Sequence, residues 1–309
     1  MGAHDIVHFI MKHKITILLA AIILALTAAC SSEEEVLPLK VGMMPAVDAA
    51  PFYYALEEGF FADEEVPVEL VLFTNAQNRQ SALQTGEIDG AMTDLVALTT
   101  SRAGDFPLTG VLSTDGLFPL LSRIDLAETS EVTAGIMEIS VTNYLLDQYL
   151  ADSHEIRKVY INEIPARLEA VDSGQLDLGV FPEPFASIGE LRGLEKIVFP
   201  GIPEESVNII AFSESALTEK YEAVSRFTAA YRRAVLEMDE DSARRVLLES
   251  LPNLPDEIRP LIRLPEYHSP RLPGREFLEE LVRWSESVTG STYAMTGEDL
   301  VDRSFVETP

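Results

Sequence analysis

The chain has 309 residues, 47% of them hydrophobic, enough to bury a sizeable core in one large domain or two modest lobes. It carries 51 Asp plus Glu against 23 Lys plus Arg, a formal net charge of −28. That balance excludes a nucleic-acid binder, which needs a basic face to displace phosphate counterions; solubility is the simplest account of the acidity.

At the start of the chain, Lys12-His13-Lys14 precede an apolar run over 15–26, followed by Thr27-Ala28-Ala29-Cys30. A positive beginning, a short apolar stretch and small residues before a cut describe a secretory signal over 1–29, with Met11 as an alternative start. A membrane span needs about 20 apolar residues, more than this run supplies. Cys30 is the sole cysteine, which rules out a disulfide framework, a Cys-based metal site and a CxxC redox pair. Its setting resembles the bacterial lipobox, which implies lipidation of Cys30 and attachment to the cell-envelope membrane. Thr27 departs from that pattern, which prefers Leu there. Residues 30–36, with Ser31-Ser32-Glu33-Glu34-Glu35, read as a polar tether.

From Leu37 onward, short apolar runs alternate with helical patterns, as in α/β units. Strands are predicted at 39–43, 68–73, 89–93 and 108–113. Between the first two, Pro51 suits the first turn of a helix that ends near Gly59. Asn75 can cap a helix that stops at Gly86, and Asp94 can cap the helix after it. A second set follows Asp115, with strands at 133–137, 157–161, 178–181 and 196–199 and a helix over 141–151 capped by Ser140. The two sets share an echo: 82–91 (ALQTGEIDGA) aligns with 170–179 (AVDSGQLDLG), a helix end, a glycine stop, an acidic turn and a buried strand in each. A strand at 207–212 leads to a long helix whose Tyr221, Val224, Phe227, Tyr231, Val235 and Met238 recur at spacings of three and four, a core stripe. Six prolines between Pro252 and Pro273 predict a rigid irregular connection. A final amphipathic helix covers 276–284, with Trp284 as a packing residue.

These features together resemble the periplasmic solute-binding proteins of ABC transporters, in the NMT1/THI5-like group with its sulfonate-, taurine- and nitrate-type binders. The residues that carry the likeness are 51–61 (PFYYALEEGFF), 82–89, 173–177 (SGQLD) and 182–185 (PEPF). The resemblance implies an α/β, two-lobed periplasmic binding protein fold of type II, with two Rossmann-like lobes joined by a two-segment hinge. Lobe 1 would comprise 37–115 plus 211–309, and lobe 2 would comprise 116–210. It further implies a monomer that closes on a small molecule, without a cofactor, and delivers it to a permease and its ATPase.

Carried over residue by residue, the resemblance makes the first-lobe loops offer Asp48 and Ala49, Asn75 and Ala76, and Thr93 and Asp94. The crossing strand offers Thr114 and Asp115; the second lobe offers Ser140 and Thr142, Ile164, and Glu183 with Pro184. Asn75, Asp94 and Ser140 read equally well as helix caps, and Asp115 as holding a turn with Gly116. Glu183 is the sharpest candidate, since Pro182 and Pro184 fix the backbone around a carboxylate at a strand end. Four candidates are acidic, and Arg79 and Arg167 are the nearest basic residues. Unpaired carboxylates beside an anion cost several kcal/mol, so the expected ligand is a neutral or cationic nitrogenous molecule such as an aminopyrimidine thiamine precursor. A sulfonate- or nitrate-type anion is the alternative, as is a lipid-anchored sensor role.

An enzyme is not expected. The histidines beyond the leader, His154 and His268, stand far apart, and HExxH, GxSxG, P-loop and GxGxxG signatures are absent from the sequence. The pyrimidine synthase of the same group requires a cysteine-rich metal motif, and this chain has no cysteine beyond Cys30.

Overall fold

Two five-stranded sheets organise the protein, each assembled by the same rule. The computed structural model describes residues 38–104, 106–200, 205–251 and 254–306; the leader, Cys30 and the tether expected at 30–36 lie outside the described residues. In chain order the first stretch runs β1 (Leu39–Met43), a 3₁₀ turn (Val47–Ala49), α1 (Ala50–Glu57), α2 (Phe60–Asp63), β2 (Val68–Leu72), α3 (Ala76–Gln84), β3 (Gly90–Asp94), α4 (Leu95–Ala103) and β4 (Leu108–Thr114). The second runs β5 (Leu120–Ser122), β6 (Glu131–Ile136), α5 (Val141–Leu150), β7 (Glu155–Tyr160), α6 (Ile164–Asp172), β8 (Leu178–Val180), α7 (Phe185–Leu191) and β9 (Glu195–Ile197). The chain then returns through β10 (Asn208–Ser213), α8 (Glu214–Glu219), α9 (Tyr221–Glu237), α10 (Glu240–Ser250) and α11 (Arg275–Thr289).

The first sheet has the order β2-β1-β3-β10-β4 and the second the order β7-β6-β8-β5-β9. In each, three parallel strands are followed by one antiparallel strand that the chain contributes on crossing between the halves: β10 in the first sheet, β5 in the second. The whole of β10 pairs in the first sheet, so residues 208–210 belong with that sheet and the return crossing is complete before the 211 boundary expected from sequence. Its six buried residues, NIIAFS, leave it no face for solvent. The sequence pattern also passed over β5, because three residues give no alternation to read.

The echo has a structural cause. Gly86 and Gly174 both adopt left-handed backbone, φ +71° and +77°, which ends α3 and α6 at a low conformational cost. Asp89 then accepts the Lys40 amide at 2.8 Å, and Asp177 accepts the Thr133 amide at 2.7 Å. Each aspartate thereby pins the start of the central strand of its sheet, β3 or β8, to the parallel strand beside it, β1 or β6.

Both faces of the first sheet are packed. Phe52, Phe61 and Phe212 meet α9 at Phe227, with ring centroids 5.3 Å apart for Phe52 and 5.4 Å for Phe61. Val224, Phe227 and Tyr231 of the predicted stripe are fully buried, whereas Tyr221 at the helix start is 45% exposed. Among its described residues the proline-rich segment is irregular as expected, with one short 3₁₀ turn at Asp256–Ile258.

Candidate ligand-binding site

Parallel strands deliver their C-terminal ends to one edge of an open sheet, and the loops leaving that edge form a crevice. Here the loops after β1, β2 and β3 face those after β6 and β7 across a cavity of about 100 Å³. A water-sized group needs about 10–15 Å³, so the space has room for a small ligand. The first half contributes Met44, Pro45, Ala46, Thr74, Asn75, Ala76, Arg79, Met92, Thr93 and Asp94; the second contributes Phe118, Met137, Ser140, Val141, Thr142, Asn162, Ile164, Arg167 and Pro182. Asn208 completes the lining. A wider space of about 440 Å³ adjoins it, shares Ala76, Arg79, Met137 and Asn162, and adds Phe106 and the 41% exposed Ile139.

Of the residues expected from sequence, Asn75, Ala76, Thr93, Asp94, Ser140, Thr142 and Ile164 line the cavity. Three of them also cap helices. Asn75 Oδ1 accepts the Asn78 amide at 2.8 Å, Asp94 Oδ1 accepts the Ala97 amide at 2.8 Å, and Ser140 Oγ accepts the Thr142 amide at 3.0 Å. The N-termini of α3 and α5 thus open onto the space, with their free amide dipoles oriented to favour negative charge.

Asp48, Ala49, Thr114, Asp115, Glu183 and Pro184 are placed elsewhere. Asp48 is fully buried, its Oδ2 accepting from Thr114 Oγ1 at 2.7 Å and from Asn208 Nδ2 at 2.8 Å. Burial pushes its carboxyl above the ordinary range, against the pull of those two donors. Ala49 sits in the core beside Phe52. Asp115 accepts from the His268 amide at 2.8 Å, from His268 Nδ1 at 3.1 Å and from Arg271 Nη2 at 2.9 Å. Glu183 is also fully buried; Ser187 Oγ donates to its Oε2 at 2.7 Å, and Lys196 Nζ donates to its Oε1 at 3.0 Å. Its neighbour Pro184 follows it through a cis peptide bond. Three of the four acidic candidates therefore have internal donors and do not line the cavity.

The charge that the cavity does present is mainly positive. Arg79 on α3 and Arg167 on α6 are 5% and 2% exposed. Arg79 donates to Thr93 Oγ1 at 3.1 Å and Arg167 to the Ile161 carbonyl at 2.7 Å, while the Nε of each is buried without a partner among the described residues. Arg167 also lies 5.2 Å over the Phe181 ring. Burial draws both guanidinium groups down, Arg167 to about 10; an arginine in a protein keeps its positive charge. Asp94 is the one carboxylate in the lining among the described residues. Desolvation raises it, against the Ala97 amide, the charge of Arg79, and the amides of Val96 and of Val141 across the cleft.

The two arginines were legible as a pair. Ala82 and Ala170 of the echo are 88 residues apart, and so are Arg79 and Arg167. Each is the fourth residue of its helix, so the duplicated unit extends to the cationic side chain. Among the described residues no group of His, Cys, Asp and Glu could hold a metal ion, and no helix is long and apolar enough to cross a membrane.

The structure is similar to that of a ligand-binding component of an ABC-type import system from Staphylococcus aureus, solved with zinc bound (TM-score 0.74, 16% identity, covering 87% of this chain and 97% of that one). It is also similar to the alkanesulfonate-binding protein SsuA of Xanthomonas axonopodis pv. citri bound to MOPS (TM-score 0.70, 18% identity, 86% and 98%). A Candida albicans gene product described as having the generic periplasmic binding protein fold matches with a TM-score of 0.65 at 13% identity, covering 88% and 98%. A search of curated protein sequences finds no match. The fold is therefore the two-lobed periplasmic binding protein fold, of type II as expected. The sequence profile of the NMT1-like family matches residues 32–251, and the chain belongs to that family.

Proposed function

We propose that this protein is the solute-capturing component of an ABC importer and that its ligand is a small organic anion with an apolar body. The observation that carries this reading is the pair of buried guanidinium groups, one on each side of the cleft, whose Nε atoms lack partners among the described residues. A buried ion costs several kcal/mol unless it is matched, and an anionic headgroup between Arg79 and Arg167 would match both. The apolar remainder of the lining, including Met44, Met92, Phe118 and Met137, suits the body of such a ligand. Four carboxylates around the ligand would favour a cationic or neutral molecule such as an aminopyrimidine. Asp48, Asp115 and Glu183 instead have donors inside the protein. Both the S. aureus import component and the alkanesulfonate binder share the fold, which is consistent with this role. Lipidated Cys30 would hold the protein at the membrane beside a permease and its ATPase, and closure of the lobes would present the loaded form.

The reading is tested by thermal unfolding with methanesulfonate, nitrate, short-chain carboxylates and aminopyrimidines. A bound anion at one hundred times its Kd adds about 2.7 kcal/mol of stability. Anions are expected to raise the unfolding midpoint of the parent protein, and Arg79→Gln and Arg167→Gln are each expected to cut that rise to about half or less. Stabilisation by aminopyrimidines alone would overturn the reading.

A further inference from the structure

Helix α5 begins at the cavity, where Ser140 and Thr142 line it, and continues away from it against α11 of the first half. Its inner residues Val141, Tyr144 and Leu145 share one apolar cluster with Phe277, Leu278, Leu281 and Val282 of α11. Polar contacts cross the same seam. The Tyr144 hydroxyl donates to Glu280 Oε1 at 2.7 Å, and Trp284 Nε1 donates to Asp147 Oδ2 at 3.2 Å. The rings of Tyr144 and Trp284 meet edge to face with centroids 5.5 Å apart. At the cavity end, the Val141 amide adds to the donors around Asp94.

The polar contacts of the seam can be exchanged for others when it opens. Asp147 also pairs with Lys158 of its own half, so it keeps a partner when Trp284 withdraws. Tyr144 and Glu280 each carry one cross-seam hydrogen bond that water can replace on opening.

We propose that Tyr144 and Asp147, with Glu280 and Trp284, are positioning residues for ligand capture: they hold the N-terminus of α5 against the first lobe and set the fraction of molecules whose cleft is closed. This rests on the solute-capture reading, since a closed-state population matters only to a protein that shuts on a ligand. A ligand that contacts Ser140 and Thr142 together with Arg79 binds the closed form better, and its apparent affinity scales with the closed fraction. Tyr144 and Glu280 act on affinity without touching the ligand.

Trp284 is the sole tryptophan in the sequence, so its emission reports the seam directly. The full mature chain is compared with Tyr144→Phe, Glu280→Ala, Glu280→Gln and, as a control on the exposed side of α11, Arg283→Gln. Acrylamide quenching of Trp284 and the radius of gyration from small-angle scattering are measured without any ligand. Tyr144→Phe and Glu280→Ala are expected to raise the open-to-closed ratio about tenfold, the factor for losing one hydrogen bond to a charged group. Quenching and radius should both increase. Glu280→Gln keeps an acceptor for Tyr144 but not its charge and should fall between Glu280→Ala and the parent, and Arg283→Gln should match the parent. Unchanged quenching and radius in Tyr144→Phe overturn the proposal, and that variant keeps its ring and so preserves packing if Glu280→Ala fails to fold. Methanesulfonate binding is then followed by stopped flow, with faster dissociation expected in Tyr144→Phe. If methanesulfonate binds no form, the parent included, the anion reading fails while the ligand-free measurements still decide the seam.

Discussion

Arg79 and Arg167 show how much a residue's meaning depends on who its neighbours are. Each is a cation inside the protein whose Nε has no partner among the described residues. Replacing either by Gln should cut anion affinity about ten- to a hundredfold, the worth of one charge-assisted hydrogen bond of about 1.5–3 kcal/mol, as read by calorimetry. Arg167→Gln should leave the stability of the unliganded protein equal or higher, because a desolvated charge is removed, whereas Arg79→Gln also takes a compensating charge from the buried Asp94. Asp48 presents the opposite case, a buried anion serving structure. Its pKa is raised by burial, so the folded state holds its proton to higher pH than the unfolded chain does. Stability is accordingly lost as pH climbs from about 4 through that raised value. Asp48→Asn carries no such charge, so its thermal midpoint relative to the parent should increase from about pH 4 to about pH 7. A difference that shrinks over this range would show that the hydrogen bonds from Thr114 and Asn208 outweigh burial. These roles were hidden in the sequence because the partners are remote: Asn208 follows Asp48 by 160 residues, and Arg271 follows Asp115 by 156.

Single elements were far easier to read, since their causes lie within a few residues. Asn75, Asp94 and Ser140 each begin a helix, as their side chains predict, and they also line the cavity, so the competing readings as cap and as site describe one geometry. The glycine stops are local in the same sense. Gly86 sits at φ +71° with open space where a Cβ would go, so Gly86→Ala meets only backbone strain. It should cost about 1–2 kcal/mol in chemical denaturation, the penalty for a left-handed L-residue. A larger loss would mean that the neighbouring turn to Asp89 had moved. The strand β5 was missed for the converse reason. Its three residues acquire extended structure from pairing with β8 and β9 on either side, not from any pattern of their own.

At the scale of the whole molecule, the segment after α10 ties the halves together at the back of the cleft. Lys196 Nζ on β9 donates to the Leu261 carbonyl at 2.7 Å and to Glu183, while the Tyr267 hydroxyl reaches the Val47 carbonyl at 2.9 Å. Lys196→Met would leave Glu183 buried without its cation and should cost about 3–5 kcal/mol, with most of the loss recovered in the double variant Lys196→Met, Glu183→Gln. A full loss in the double variant would assign the effect to packing. Anchoring is tested apart from folding. Cys30→Ala is expected to move the exported protein from the membrane fraction to the soluble one, with anion-induced stabilisation intact. Retention on the membrane would exclude lipidation at that cysteine.

Alternating apolar runs, helix caps and the echo were enough to determine an α/β chain of two similar halves, because each depends on contacts a few residues long. Which carboxylates stay inside and which charges face the ligand was decided only by the tertiary structure. Burial and pairing of a charge depend on residues that sequence places tens to more than one hundred positions away, and folding alone brings Lys196 to Leu261 and Asp48 to Asn208, or sets Arg79 and Arg167 across one small cavity.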